Sequence, residues 1–274
     1  MFSRLVTLTI LTLTCFCAEA QKGAEIGPWL GVSHYFGDLN NLYRLNEPGL
    51  AGGFIARYNH NSRISTQVLF NYARIRAHDR LSSNLFDQRR NLSFYSDVYE
   101  ICPSISFNFF SFEHGKSFFG ITPHLITGLS IFHFNPKADY QGSTYSLREL
   151  GTEGQPKNQE YGSISAAWLL GFGMKVDLSY RWSLNIDLDA RVAMTDYLDD
   201  VSKTYPNSSA LLTERGPVAV ALSDPSIPGP NGENIGAPGF QRGDSKDHDM
   251  FASFGIGLLY FFGRLDCPAI SHPQ

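Results

Sequence analysis

The chain has 274 residues, a net charge of -4, 14% aromatic residues and 25 Gly against only 4 Met. This composition favours one β-rich unit and excludes the strongly basic surface that nucleic-acid binding requires. No segment after residue 20 offers the roughly eighteen consecutive apolar residues of a transmembrane helix, which excludes a helical membrane protein.

The first segment, residues 1–20, has the features of a secretory signal peptide. Arg4 precedes an apolar run over residues 5–17, and the small-residue motif Ala-Glu-Ala follows it. The run is too short to anchor the chain in a bilayer. A lipid-modified cysteine within it is the weaker alternative, because bulky or β-branched residues precede both cysteines. We therefore expect cleavage before Gln21 and a single domain over residues 21–274.

Apolar and polar residues alternate along most of the remaining chain, which is the period of a β-strand. In the clearest example, apolar residues occupy every second position from Leu184 to Met194, and charged residues stand between several of them. About eight such segments occur, each long enough to cross a bilayer when tilted. They cover residues 24–36, 50–58, 63–74, 99–110, 118–134, 163–177, 183–194 and 248–263.

The connections between these segments differ in length in a regular way. Short connections are predicted at residues 59–63, 111–117 and 178–182, and long ones at residues 37–49, 76–91, 135–160 and 195–247. Short turns at one end, long loops at the other and an even strand number are typical of a bacterial outer-membrane barrel. The alternative is a soluble β-sandwich, but its strands are usually shorter and its loops need not sort by end. The sequence thus predicts an all-β fold, a closed antiparallel transmembrane β-barrel of about eight strands, with short periplasmic turns, long extracellular loops and both mature termini in the periplasm.

Charged residues recur at the positions that would face the lumen of this barrel. Eight strands enclose an interior just wide enough for its own side chains. Because the inward residues carry both signs, we expect them to pair and fill the lumen rather than line a pore. The predicted lumen charge network comprises Glu25, Arg57, Glu100, Lys175, Asp177, Asp187, Asp189 and Arg191.

Other candidate sites have simpler interpretations. The acidic segment 195–202 could offer Ca²⁺ ligands, but it lacks the spacing of an EF-hand loop and is more simply a solvated loop with local capping. His124 is expected to be a polar lumen residue, and the Arg-Gly-Asp tripeptide at residues 242–244 is expected by chance. No GxSxG nucleophile motif occurs. We expect no enzyme activity, metal, cofactor or small-molecule substrate.

Six segments resemble the PorG-like outer-membrane proteins of the bacterial type IX secretion system. The resemblance implies an outer-membrane component that is not an enzyme and that associates with the periplasmic ring built from PorK and PorN. The segments are GVSHYFGDLN (31–40), RNLSFYSDVYEICPSISFNFF (90–110), TPHLITGLSIFHFNPKA (122–138), LGTEGQ (150–155), TDYLDDVSKTY (195–205) and QRGDSKDHDMF (241–251).

Two cysteines, Cys102 and Cys267, remain after removal of the signal peptide. Cys102 is predicted well inside the lumen, too far from the periplasmic tail 264–274 for a disulfide, which requires Cα atoms within about 7 Å. Cys267 is therefore either an unpaired thiol or a contact with the periplasmic ring. A different function is also compatible with the sequence: a small-solute channel or a surface-binding outer-membrane barrel without a secretion role.

Overall fold

The computed structural model describes residues 22–115 and 120–263. The predicted signal peptide and the predicted tail with Cys267 lie outside the described residues. Both stay predictions, as do the domain limits that depend on them.

Eight long antiparallel strands form a closed barrel, and a short hairpin extends its wall. Each long strand pairs with its neighbours, β1 pairs with β10, and β3 pairs with β4 from Ile64 opposite Phe107 to His78 opposite Ser93. The predicted closed barrel of about eight strands is confirmed. The strands are β1 (Gly23–Phe36), β2 (Gly49–Asn59), β3 (Ile64–His78), β4 (Ser93–Asn108), β5 (Ile121–His133), the hairpin β6 (Pro136–Tyr140) and β7 (Ser143–Ser146), β8 (Ile164–Ser179), β9 (Trp182–Ala193) and β10 (Met250–Phe261).

The strands direct large apolar side chains outward and polar side chains inward. On β9 the side chain of Leu188 is 55% exposed, whereas that of Asp189 is 8% exposed. Because successive side chains point to opposite faces of a strand, every strand repeats this division. The barrel is therefore apolar on its outside, and its interior combines polar side chains with buried apolar ones such as Trp29, Ile55 and Leu169.

The connections sort by end as predicted. The turns after β2, β4 and β8 lie at one end, here called the turn end, together with the start of β1 and the end of β10. The turn after β8 contains only Tyr180 and Arg181, because both flanking strands run further than the sequence pattern predicts. The long connections 37–48, 79–92, 134–163 and 194–249 meet at the opposite end, here called the loop end.

The long connections fold together into a cap, defined as residues 37–48, 79–92, 134–163 and 194–249. Besides the β6–β7 hairpin, which extends β4 through the pair Tyr95 and Lys137, the cap contains a 3-10 turn and four short helices that the sequence pattern did not predict. None of the described helices is long and apolar enough to cross a membrane. The turn and helices are Asp79–Leu81, Leu85–Arg90, Leu147–Leu150, Ser208–Arg215 and Pro217–Ser223. The apolar centre of the cap is formed by Leu39, Leu92, Leu147, Leu198, Val201 and Leu222.

Candidate functional site

The lumen contains layers of polar side chains beside buried apolar ones such as Ile55 and Leu169, and the first polar layer lies at the turn end. Glu25 pairs with Arg57 through a 3.0 Å contact between Oε2 and Nη1. His114, from the turn after β4, inserts between two carboxylates, with 3.1 Å to Glu25 and 3.2 Å to Asp177. Its ring stacks on Phe261 at 4.4 Å between centroids. The turn after β4 thus supplies a side chain, that of His114, which helps to close this end of the lumen.

The middle of the lumen contains Lys175, His124 and Asp187. Lys175 Nζ donates to Ser106 Oγ at 3.2 Å, and His124 Nε2 lies 3.0 Å from Asp187 Oδ1. Lys175 and His124 are almost completely buried. His124 on β5 and Asp187 on β9 lie on either side of β8, and Gly173 of β8 leaves room for their contact, since a Cβ there would meet Asp187 Oδ1 and His124.

Arg191 organises the loop-end layer of the lumen. Its Nε donates to Glu100 Oε2 at 2.8 Å, its Nη1 donates to Ser253 Oγ at 2.8 Å, and Nη2 lies 3.7 Å from Asp189. Glu100 also accepts from Asn71 Nδ2 at 2.7 Å. These contacts satisfy a buried guanidinium from three sides, which is the condition for burying a charge without a large penalty.

All eight sequence-predicted lumen residues therefore point into the barrel, where they form several separate groups of contacts, some with partners that the sequence did not single out. Those partners include His114 from a turn, together with Asn71 and Ser106. One internal void, beside Trp29 and Asp189, has a volume of about 10 Å³, which is near the lower limit for one water molecule. The arrangement leaves little space for solute between the layers. Cys102, also buried in the lumen, is a free thiol within the described residues.

A second polar cluster lies above the lumen, inside the cap. The hydroxyl of Tyr35, at the end of β1, lies 2.6 Å from Asp199 Oδ2 and 2.6 Å from Asp249 Oδ1. The outer oxygens of these carboxylates accept backbone N–H groups, from Leu198 at 2.8 Å and Val201 at 2.9 Å. Because one hydroxyl has a single proton to donate, two such short contacts require a proton on one of the two carboxyl groups.

Arg242 joins three parts of the cap. Its guanidinium lies 3.3 Å from Glu153 and 3.6 Å from Asp200, and it donates to the carbonyl oxygen of Ser223 at 3.2 Å. Asp200 in turn accepts from Tyr161 Oη at 2.7 Å. This network links segments that are distant in the sequence to one buried cation.

Arg90 joins a further part of the cap to the same cluster. It forms an ion pair with Asp79 at 2.7 Å and donates to the backbone carbonyl oxygens of Arg242 and Asp38. Four of the six segments that carry the sequence resemblance, those beginning at residues 31, 90, 195 and 241, therefore meet here, and a fifth contributes Glu153.

Burial changes the titration of the acidic groups in the cap. Loss of hydration is the largest cause for each of them, and it raises the pKa of Asp200 to about 6 and that of Asp196 to about 7. It also raises the pKa values of Asp199 and Asp249 well above their usual range, and the negative charge of nearby carboxylates adds to the effect. The raised pKa values agree with the shared proton that the Tyr35 geometry requires.

The interpretation of residues 195–202 as a solvated loop is wrong for two of its carboxylates. Asp199 and Asp200 are 1% and 0% exposed because the cap folds over them and supplies hydrogen-bond donors. Arg242 of the Arg-Gly-Asp tripeptide is also buried, at 2% exposure, so it is not displayed for adhesion. Within residues 22–115 and 120–263 no group of three or more His, Cys, Asp or Glu side chains is arranged to hold a metal ion.

Comparison with known proteins gives a family match over most of the chain. A profile of the family described as Domain of unknown function (DUF6089) matches residues 3–215. No curated protein sequence matches the chain.

Among solved structures, Neisserial surface protein A (NspA) is 10% identical, with a TM-score of 0.44 over 89% of this chain and 100% of that chain. OprG from Pseudomonas aeruginosa is 10% identical, with a TM-score of 0.42 over 89% and 98%. Ail of Yersinia pestis, in complex with the heparin analogue sucrose octasulfate, is 10% identical, with a TM-score of 0.39 over 89% and 100%. The barrel architecture of this chain is established by its own strand pairing.

Proposed function

The chain belongs to the DUF6089 family, which has no assigned function, and from the filled lumen of this member we propose a structural role in the bacterial outer membrane. In this proposal the barrel is an assembly component of the type IX secretion system and associates with the periplasmic ring of PorK and PorN. It acts as an anchor in the membrane and neither conducts solutes nor catalyses a reaction.

The outer surface supports a position in a lipid bilayer. Aromatic side chains lie at both limits of the apolar surface: Tyr72 and Tyr99 towards the loop end, Phe107 and Trp182 towards the turn end. The nine residues from Tyr99 to Phe107 span eight strand rises, which correspond to roughly 20 Å along the barrel axis at a tilt of about 40°. That height is close to the apolar band of about 25 Å in outer-membrane barrels.

The outward face becomes charged immediately beyond the loop-end limit. Arg74 stands two positions after Tyr72 in β3, and Asp97 stands two positions before Tyr99 in β4. The two form an ion pair at 2.8 Å on the outside of the wall. A charge pair of this kind belongs in water or among headgroups, because a charged side chain at mid-membrane costs about 2–4 kcal/mol. It therefore supports a membrane boundary at the two tyrosines.

The single observation that carries the structural role is the closure of the lumen. Ion pairs fill it from Glu25 at the turn end to Arg191 at the loop end, and the cap covers the loop end above Asp199. A channel needs a continuous water path, and small eight-stranded barrels fill their interior with side chains instead. This observation favours an anchor over the small-solute channel.

The orientation and the partner are parts of the same proposal. With both mature termini in the periplasm, the short turns face the periplasm and the cap faces outward. The ring proteins would then meet the turn-end surface and the tail 264–274, which includes Cys267. The proposed partner rests on the sequence resemblance. Exposed aromatic side chains at this end, among them Phe110 at 61% and Tyr180 at 69% exposure, offer it a contact surface.

Removal of the chain from its cells tests the secretion role most directly. We expect secretion of type IX cargo proteins to fall when the gene is deleted and to recover with the full chain. We also expect crosslinking in whole cells to recover PorK and PorN with the tagged barrel. A deletion after Gly263, compared with Cys267→Ser, separates the contribution of the tail from that of the thiol. Normal cargo secretion without the barrel, together with no ring proteins in the crosslinked material, would contradict the proposal.

One observation favours a surface-binding barrel as the second candidate. The cap contains a cleft of about 350 Å³, lined among others by Arg80, Tyr95, Asp139 and Tyr140, and this volume lies in the range of ligand pockets. Saturable binding of a small solute by intact cells, lost in an Arg80→Ala and Asp139→Ala double variant that still assembles, would favour this function. Equal binding by the double variant would remove the cleft as its basis.

A further inference from the structure

The first long loop, residues 37–48, exposes apolar side chains and turns a basic one inward. Leu42, Tyr43 and Leu45 are 53%, 65% and 67% exposed. Between them, Arg44 donates through Nη2 to the carbonyl oxygen of Leu39 at 2.8 Å and through Nε to Asn40 Oδ1 at 3.2 Å. A water-exposed loop would show the opposite arrangement, with the arginine outside.

This arrangement is held in place from both ends of the loop. Asn40 is 7% exposed, and its Nδ2 donates to the carbonyl oxygens of Tyr35 at 2.7 Å and Arg44 at 3.0 Å. At the other end, Glu47 lies 2.7 Å from His78 of β3. Tyr43 adopts a φ of 52°, a left-handed conformation that is uncommon for a bulky residue and is retained only where surrounding contacts impose it. The outward direction of the apolar side chains is therefore built into the loop.

The loop lies against the outside of the barrel wall. The ring of Tyr43 is 5.2 Å from that of Phe36, and Phe36 belongs to the outward row of β1 that includes Leu30 and Val32. Val32 is paired with Leu50 of β2, which is 66% exposed. The same outward row carries His34 between Val32 and Phe36, and its ring stacks on that of Phe36 at 6.5 Å between centroids. Apart from this histidine, the apolar surface of the loop continues the apolar surface of the wall, with no Asp, Glu, Lys or Arg of β1 or β2 between them.

The height of the loop corresponds to the membrane boundary. The loop ends at Pro48, directly before Gly49, whose backbone lies beside that of Arg74, since a Cβ there would meet the Arg74 carbonyl oxygen. Arg74 is the first charged residue above the tyrosine limit of the wall. At this level tyrosines are enriched in membrane proteins, because one end of the side chain is apolar and the other is polar.

We propose that residues 37–48 form an interfacial anchor that places Leu42, Tyr43 and Leu45 in the lipid of the outer leaflet. The inference rests on the proposed position of the barrel in the membrane. We assign lipid as the partner of these three side chains because they continue a surface that already faces lipid in that position. The exposed Leu85, at the tip of the connection 79–92, lies beyond the charged positions of β3 and serves as a comparison of similar polarity.

Spin labels test this proposal in the mature full-length chain carrying Cys267→Ser, in which Cys102 is buried. Labels are attached to Leu45→Cys, Leu85→Cys and Leu188→Cys, each checked for a compact barrel that migrates faster on gels before heating. The proteins are reconstituted into phosphatidylcholine and phosphatidylglycerol vesicles. Collisions of each label with molecular oxygen, which concentrates in lipid, are compared with collisions with a water-soluble nickel chelate.

We expect oxygen to dominate for the labels at positions 45 and 188, and the nickel chelate to dominate at position 85. Nickel-dominated collisions at position 45 with oxygen-dominated collisions at position 188 would overturn the anchor and leave the barrel in the membrane. Nickel-dominated collisions at both positions would overturn the membrane position as well. A label at position 45 that is shielded from both reagents would identify contact with protein and would also overturn the proposed lipid occupant.

Discussion

Leu188 and Asp189 are adjacent in β9, yet one faces the proposed lipid phase and the other faces the lumen. Their exposed fractions of 55% and 8% follow from the alternation of side chains along a strand. The same local rule decides which substitutions the barrel tolerates at each position.

A charge introduced at Leu188 should therefore impair assembly more than a neutral change at Asp189. Leu188→Arg places a cation on the proposed lipid face, at a cost of about 2–4 kcal/mol near mid-membrane, whereas Asp189→Asn preserves the shape of the lumen side chain. The fraction of each variant in the heat-modifiable outer-membrane form provides the measurement. Greater loss with Asp189→Asn than with Leu188→Arg would reverse the assignment of faces.

The titration of the buried cap carboxyl groups predicts a dependence on pH. For an acid whose pKa is higher in the folded state, the folded protein binds more protons, so stability is greatest below the unfolded pKa and declines as pH rises through the folded pKa. The folded pKa values are about 6 for Asp200 and about 7 for Asp196, and those of Asp199 and Asp249 are raised well above their usual range. Protection of the cap should therefore decrease as pH rises from about 4 through 7.

Hydrogen exchange of residues 194–249, corrected for the intrinsic effect of pH, checks this expectation. The wild-type cap should be better protected at acidic than at alkaline pH, and Asp199→Asn should reduce the difference because the amide cannot ionise. Equal or greater protection at alkaline pH in the wild type would show that the shared proton does not contribute to cap stability.

At the scale of elements, the cap depends on a few buried cations that connect separate loops. Arg242→Met removes the charge that faces Glu153 and Asp200. Truncation of one partner of a buried ion pair typically costs about 3–5 kcal/mol of stability. We expect the cap of this variant to become sensitive to added protease while the barrel strands remain resistant. Arg80→Met, at an exposed position of the same cap, is the matched control. Equal protease resistance of the two variants would contradict the role assigned to Arg242.

The strands could be predicted from the sequence because their signal is local. Alternation alone located all eight wall strands and the eight lumen charges, since the side-chain period of a strand does not depend on distant residues. Differences arose at strand ends: β4 begins at Ser93, six residues before its predicted segment, and β3 continues four residues beyond its own, to His78. The type of end, short turn or long loop, was also predictable because it depends on segment length.

The cap could not be predicted in the same way, because its burial arises from contacts between distant segments. Tyr35 and Asp199 are 164 positions apart, and Tyr35 and Asp249 are 214 apart. An Asp-rich segment has the composition of a solvated loop, and only the tertiary fold supplies the donors that allow its burial. His114 was missed for a related reason: a histidine in a turn gives no sign that it will enter the lumen.

For the whole molecule, the proposed orientation predicts which residues are accessible from outside the cell. In a Cys267→Ser background, Asn231→Cys in the cap should react with a membrane-impermeant thiol reagent on intact cells, whereas His60→Cys in the turn after β2 should react only after the outer membrane is opened. Both positions are exposed, so the difference reports topology rather than burial. Labelling of His60→Cys alone on intact cells would place the barrel in the opposite orientation.

The proposed structural role of the barrel depends on the lumen being closed by its own side chains. The most direct measurement is the ionic conductance of the full mature chain in planar lipid bilayers, with a general porin as the positive control. We predict no stable conductance steps, because the side chains from Glu25 to Arg191 and the cap above them fill the lumen in the part of the chain that the structure describes. Reproducible open-channel steps whose ion selectivity changes in Asp189→Asn would show that ions pass through this lumen and would contradict the structural role.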